Sequence, residues 1–128
     1  MQHRSKKMKS MMILVAGPYR SGTGDDPNLM ERNLTLLEGV ALEVWRRGHV
    51  PVIGEWLALP LMRRAGSQHV GDPIYTEMAY PVAHRILKRC DAVLRVGGSS
   101  QGADQDVAVA EELGLKVFFA SDEIPYCS

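Results

Sequence analysis

Residues 11–27 read MMILVAGPYRSGTGDDP, and this stretch decides the fold. It opens with an apolar run, Met11–Ala16, continues through a glycine-rich turn from Gly17 to Gly24, and closes on Asp26-Pro27. The run does not alternate with polar residues, which suits a strand buried on both faces of a parallel sheet. An Asp followed by Pro is a helix N-cap with proline in the first turn, where its missing N–H is no loss. Strand, loop and helix therefore follow one another directly.

Further along, the same grammar repeats. Three more apolar runs, His49–Ile53, Ala92–Val96 and Lys116–Ala120, are rich in Val, Ile, Leu and Phe. Between Pro27 and Arg47 an apolar stripe (Met30, Leu34, Leu37, Ala41, Val44) steps by three or four, and Gly48 is placed to end that helix. Asp72-Pro73 starts another, with Ile74, Met78, Val82 and Ile86 at helical spacing; Pro81 inside it is expected to kink or divide it. A last helix runs from about Ala103 to Leu113, closed by Gly114. Glu55–Gly66 holds a short helix whose limits Pro60 leaves open, with Trp56 expected in the core. The order is β-α-β-α-β-α-β. It predicts one α/β domain over residues 11–128: three layers, helices on both faces of a flavodoxin-like parallel sheet of order 2-1-3-4, a fifth strand remaining optional.

Composition agrees and narrows the function classes. The 128 residues are 45% hydrophobic and 23% charged, enough for one core and too short for two. Residues 1–10 hold four of the 15 basic side chains and no acid, and read as a flexible basic segment. The rest keeps 11 basic against 15 acidic residues, an acidic balance that argues against polymeric nucleic acid as a partner. No stretch approaches the roughly 18–20 apolar residues of a membrane span, and Met11–Ala16 is too short for a signal-peptide core. Cys90 and Cys127 match neither a disulfide framework nor a zinc spacing, and His3, His49, His69 and His84 show no metal-ligand spacing. The expectation is a cytoplasmic domain, its histidines structural or on the surface, with no metal and no cofactor.

Open parallel sheets bind ligands beyond the carboxyl ends of their strands, where strand order reverses. In a 2-1-3-4 sheet that point lies between the first and third strands. The loops leaving those two strands are the ones richest in glycine and hydroxyl residues: Gly17–Gly24 and Gly97–Gly102. The second runs straight into the last helix, whose N-terminus favours an anion. Ser99 and Ser100 can donate to that anion, and Arg20 can clamp it from the facing loop. A Walker loop, a G-x-G-x-x-G and a G-x-S-x-G elbow are all missing. Asp104 sits where a helix dipole favours an acid, whereas Asp106 lies a turn further in and can look back into the cleft.

These residues resemble the nucleoside 2-deoxyribosyltransferase-like superfamily across roughly residues 11–120. The resemblance rests on Ile13-Leu14-Val15-Ala16-Gly17-Pro18-Tyr19-Arg20, on Cys90-Asp91-Ala92-Val93, and on Ser100-x-Gly102-x-x-x-Asp106. It is strongest to a bacterial branch carrying GPYRSGTGDDP and GEWLALP segments. Members of the family cleave or transfer N-glycosidic bonds of nucleosides or nucleoside monophosphates through a carboxylate, usually Glu, that attacks the anomeric carbon. The resemblance implies that Asp106 is the nucleophile and that Ser100 and Gly102 cradle a 5′-phosphate with Arg20. Gly17, Tyr19, Glu55, Ser99 and Ala103 complete the expected substrate-binding set, with Tyr19 serving packing as readily as binding. Two departures stand out. Asp106 is one methylene shorter than Glu, and the acid that relatives carry about two turns before the residue matching Asp91 is absent from Tyr80-Pro81-Val82-Ala83-His84. Glu77 and His84 are the alternatives for the proton donor. The resemblance implies a homodimer or larger homo-oligomer acting on a nucleoside or nucleotide. A rival expectation is an inactive module of the same fold that senses a nucleotide or nucleotide-sugar, and a third is a scaffold.

Overall fold

The computed structural model describes residues 9–127, so most of the expected basic segment, residues 1–8, lies outside the described residues. The elements follow in the order β1 (Met12–Ala16), α1 (Pro27–Arg46), β2 (Val50–Val52), α2 (Gly54–Arg64), α3 (Pro73–Leu87), β3 (Ala92–Arg95), α4 (Gln101–Glu112) and β4 (Lys116–Phe118). The four strands form one parallel sheet in the order β2-β1-β3-β4. No fifth strand joins it among the described residues; a short 3₁₀ turn at Ser121–Glu123 follows β4 instead.

β1 shows why its sequence had no polar alternation. Ile13 and Val15 join Leu37, Ala41 and Val44 of α1 in one core cluster, while Leu14 and Ala16 join Leu87, Ala103 and Ala110 of α3 and α4 in another. Both faces of the strand are buried, so both must be apolar. Asp91 ties β1 to β3 at their start: its carboxylate accepts the Met12 N–H at 2.9 Å. At their far ends the Val96 N–H donates to the Ala16 carbonyl at 2.9 Å.

Both Asp-Pro starts act as read. Asp26 accepts from the Asn28 N–H to open α1, and Asp72 accepts from the Tyr75 N–H to open α3. Two expectations need correction. Pro81 does not divide α3, which runs on to Leu87. Pro81 is exposed, so water can serve the carbonyl that its missing N–H abandons. Nor is Trp56 in the core: it is 42% exposed on the outer face of α2, its indole N–H donating to Glu38 at 2.8 Å. α2 buries Ala58 and Met62 on its other face and packs against α3 and β1.

Beyond β4 the chain doubles back as a strap over the corner between α1 and β2. Ile124 is buried in the α1-side core. Arg47 donates to the Ile124 carbonyl at 2.8 Å, and its guanidinium lies 4.5 Å from the Tyr126 ring centroid. His49, fully buried, accepts the Met11 N–H on Nδ1 at 3.0 Å; its proton then sits on Nε2, 2.7 Å from the Pro125 carbonyl. One structural histidine therefore pins the strap to the first strand.

Candidate functional site

A cavity of about 380 Å³ opens at the carboxyl edge of β1 and β3, the reversal point of the sheet. That volume lies in the range of small-molecule sites. Its floor is the end of β1 and Gly17, and α2, α3 and the start of α4 make its walls. The two glycine loops meet above the strands: a Cβ on Gly97 would fall 2.7 Å from Pro18. Gly17 has no room for a side chain either, since a Cβ would lie 2.7 Å from both Leu37 Cδ2 and the Val96 carbonyl. Close packing of this kind is what glycine allows.

Asp106 projects from the second turn of α4 into this space, with its side chain 13% exposed. Burial pushes its carboxyl up to about 7; the nearby Glu55 raises it as well, and Arg95 opposes them. Its Oδ1 lies 3.7 Å from His84 Nε2 on α3, and neither atom has a hydrogen-bond partner although both are buried. That separation is too long for a hydrogen bond. Orphaned buried polar atoms are rare and costly, and a cavity is where they find a use. Tyr80, one turn before His84, stacks on its ring with centroids 6.1 Å apart.

Of the expected site residues, the structure brings Gly17, Tyr19, Arg20, Glu55, Ser100, Gly102, Ala103 and Asp106 to this one cavity. Ser99 is not among them. It faces a shallower depression on the other side of the first loop, with Gly22, Arg32 and Asn33. Ser100 is buried and caps α4 by accepting the Ala103 N–H at 3.1 Å, which leaves its own O–H able to donate. Arg20 is already engaged: Asp25 holds it through two contacts, of 2.7 and 3.1 Å, and its guanidinium lies 5.7 Å from the Tyr75 ring centroid. Gly71 makes room for it, because a Cβ there would fall 2.5 Å from Arg20 Nη2. An anion at this loop must share Arg20 with Asp25.

Four contributors were not singled out in the sequence. Tyr75 and Tyr80 of α3 and Met62 of α2 form the wall opposite the glycine loops. Burial pushes the Tyr75 phenol up to about 12, helped by the charge of Glu55; the Tyr19 phenol is raised for the same two reasons in the same order. Arg95, at the end of β3, braces the second loop by donating to the carbonyls of Val96 at 2.6 Å and Gly98 at 2.8 Å and to Asp104 at 3.1 Å. A lone arginine closing an apolar run has one visible signal: a charge at a strand's carboxyl end in a parallel sheet. Of the two alternatives for a proton donor, His84 faces Asp106, whereas Glu77 is exposed and outside the cavity lining. Among the described residues no group of three or more His, Cys, Asp or Glu is arranged to hold a metal ion, and no helix is long and apolar enough to cross a membrane. Neither a protein-family model nor a curated protein matches this chain.

Proposed function

We propose that the chain is an N-glycosidase or 2-deoxyribosyltransferase-like enzyme acting on nucleosides or nucleoside monophosphates, with Asp106 as nucleophile. The observation that carries this reading is the Asp106 carboxyl: buried, with an unpartnered oxygen, facing a ligand-sized cavity at the reversal point of the sheet. Its ionised form attacks the anomeric carbon as the bond to the base breaks, giving a glycosyl ester that water or a second base then resolves. Ser100, the backbone of Gly102 and Arg20 receive the 5′-phosphate at the start of α4, where the helix dipole favours an anion. Tyr19, Tyr75 and Tyr80 offer aromatic surface for the base. The resemblance of Ser100-x-Gly102-x-x-x-Asp106 to the superfamily supports the same assignment.

The test is direct. Each nucleoside monophosphate is incubated with the protein and free base is followed by chromatography. Base release lost in Asp106→Ala supports the reading; release that persists in that variant removes the nucleophile. Arg20→Ala is expected to weaken binding of the monophosphate about tenfold by calorimetry and to leave the parent nucleoside unaffected, the size expected for one charge-assisted hydrogen bond. The Arg20–Asp25 pair is the one observation that favours the second reading, a nucleotide-sensing module, because its only cation of the first loop is already neutralised. Tight binding without turnover would select that alternative.

A homo-oligomer belongs to the same proposal. Trp56, Leu57 and Leu61 leave an exposed apolar face on α2, directly behind the cavity wall. So does a cytoplasmic location, where nucleotides are found.

A further inference from the structure

We propose that Glu55 is the group that protonates the departing base, acting across the cavity from Asp106; this rests on the N-glycosidase reading above. Glu55 stands one residue into α2, immediately after β2, and Asp106 stands in α4, beyond β3. The two carboxyls therefore reach one cavity from opposite sides of β1, the strand that lies between β2 and β3. A substrate seated over the end of β1 has one acid on each flank, the arrangement that cleavage of a glycosidic bond requires.

Their surroundings differ in a way that divides the work. Asp106 lies within the field of Arg95, so its negative form has cationic support. Glu55 has none. Among the described residues its carboxyl is served by its own backbone N–H alone, and burial raises it. Three phenols line the same cavity, and none of them neutralises a carboxylate. With the attack assigned to Asp106, Glu55 is the carboxyl left to carry the proton, the division of labour that paired carboxyls adopt in glycosidic cleavage. No other acid faces the cavity except Asp25, which is committed to Arg20.

The bonds balance as follows. The Asp106 carboxylate oxygen forms a bond to the anomeric carbon while the carbon–nitrogen bond breaks and its electron pair passes to the base. The Glu55 carboxyl gives its proton to that base, which leaves neutral. Water then attacks the anomeric carbon, loses a proton to the Glu55 carboxylate, and expels Asp106 as carboxylate. Substrate and water become base and sugar, and both acids return to their starting forms.

The experiment compares wild-type protein with Glu55→Gln on two substrates: the nucleoside monophosphate that wild type cleaves fastest, and a 4-nitrophenyl riboside 5-phosphate, whose nitrophenolate leaves without a proton. The expected result is a loss of about a hundredfold or more on the nucleotide and a loss at least tenfold smaller on the aryl glycoside. Equal losses on both, or no loss on either, overturn the role of Glu55 and leave Asp106 untouched. Wild type that cleaves the aryl glycoside and no nucleotide has the same meaning. Wild type that cleaves neither overturns the N-glycosidase reading and this inference with it. A second measurement is independent of turnover: difference infrared spectroscopy in mildly acidic buffer, recorded in an Asp106→Asn background so that Asp106 contributes no carboxyl band of its own. Loss of a protonated-carboxyl band in Glu55→Gln supports the assignment, and an unchanged spectrum overturns it.

Discussion

Asp106 is a carboxyl that the fold makes harder to ionise, and two measurable effects run in opposite directions from that. Lifted from 3.8 to about 7, it binds a proton in the folded protein across a pH window where the unfolded chain has released it. Stability from this group is therefore greatest below about pH 4 and is lost as the pH rises toward 7. At neutral pH the strain is roughly 4 kcal/mol at most, the opposing pull of Arg95 included. Asp106→Asn is expected to raise the midpoint of thermal unfolding at pH 7.5 or so and to do little near pH 4, by calorimetry. Activity has the reverse slope. Because only the ionised carboxylate attacks, kcat/KM for the proposed reaction rises with pH through about 7 and falls again where Glu55 loses its proton. A stabilised, inactive Asp106→Asn protein is the signature of a site that the fold maintains against its own preference.

At the scale of elements, caps matter more than length. α4 has only 12 residues, and Ser100 both opens it and lies in the cavity wall. Ser100→Ala removes the acceptor for the Ala103 N–H and is expected to lower stability by about 1 kcal/mol in urea denaturation. The elements were largely legible beforehand because their signals are local. Asp26-Pro27 and Asp72-Pro73 announce helix starts through the chemistry of an Asx cap and a proline ring, and both act that way. The stripe Met30, Leu37, Ala41 and Val44 is buried as its spacing requires. Pro81 was not legible. Whether a proline interrupts a helix depends on which side of that helix meets water, and tertiary packing decides that. α3 shows the same limit, since its spaced apolar residues are only partly buried and one side of the helix walls the cavity.

For the molecule as a whole, the sheet order was legible and the shape of the cavity was only half so. Glycine loops at two strand ends point to the floor, because parallel topology puts those ends side by side. The wall of Met62, Tyr75 and Tyr80 depends on how α2 and α3 lean on each other, which no local pattern encodes. Ser99 and Ser100 show the resolution limit: adjacent in sequence, they face different depressions. Trp56 illustrates another, since an aromatic residue with a polar handle serves a core or an outer face equally well. That outer face leads to the last prediction. If α2 joins a second copy, the double variant Leu57→Glu, Leu61→Glu is monomeric by light scattering at micromolar protein while wild type is not. The strap that follows β4 has a consequence for synthesis. Arg47 and His49 find their partners in Ile124 and Pro125, some 75 residues later. A nascent chain still holding that segment inside the ribosomal tunnel has the first two strands in hand but no lid for their corner, leaving Ile124's place in the core open to water. The corner between α1 and β2 therefore closes only once Ile124 and Pro125 are free to reach it.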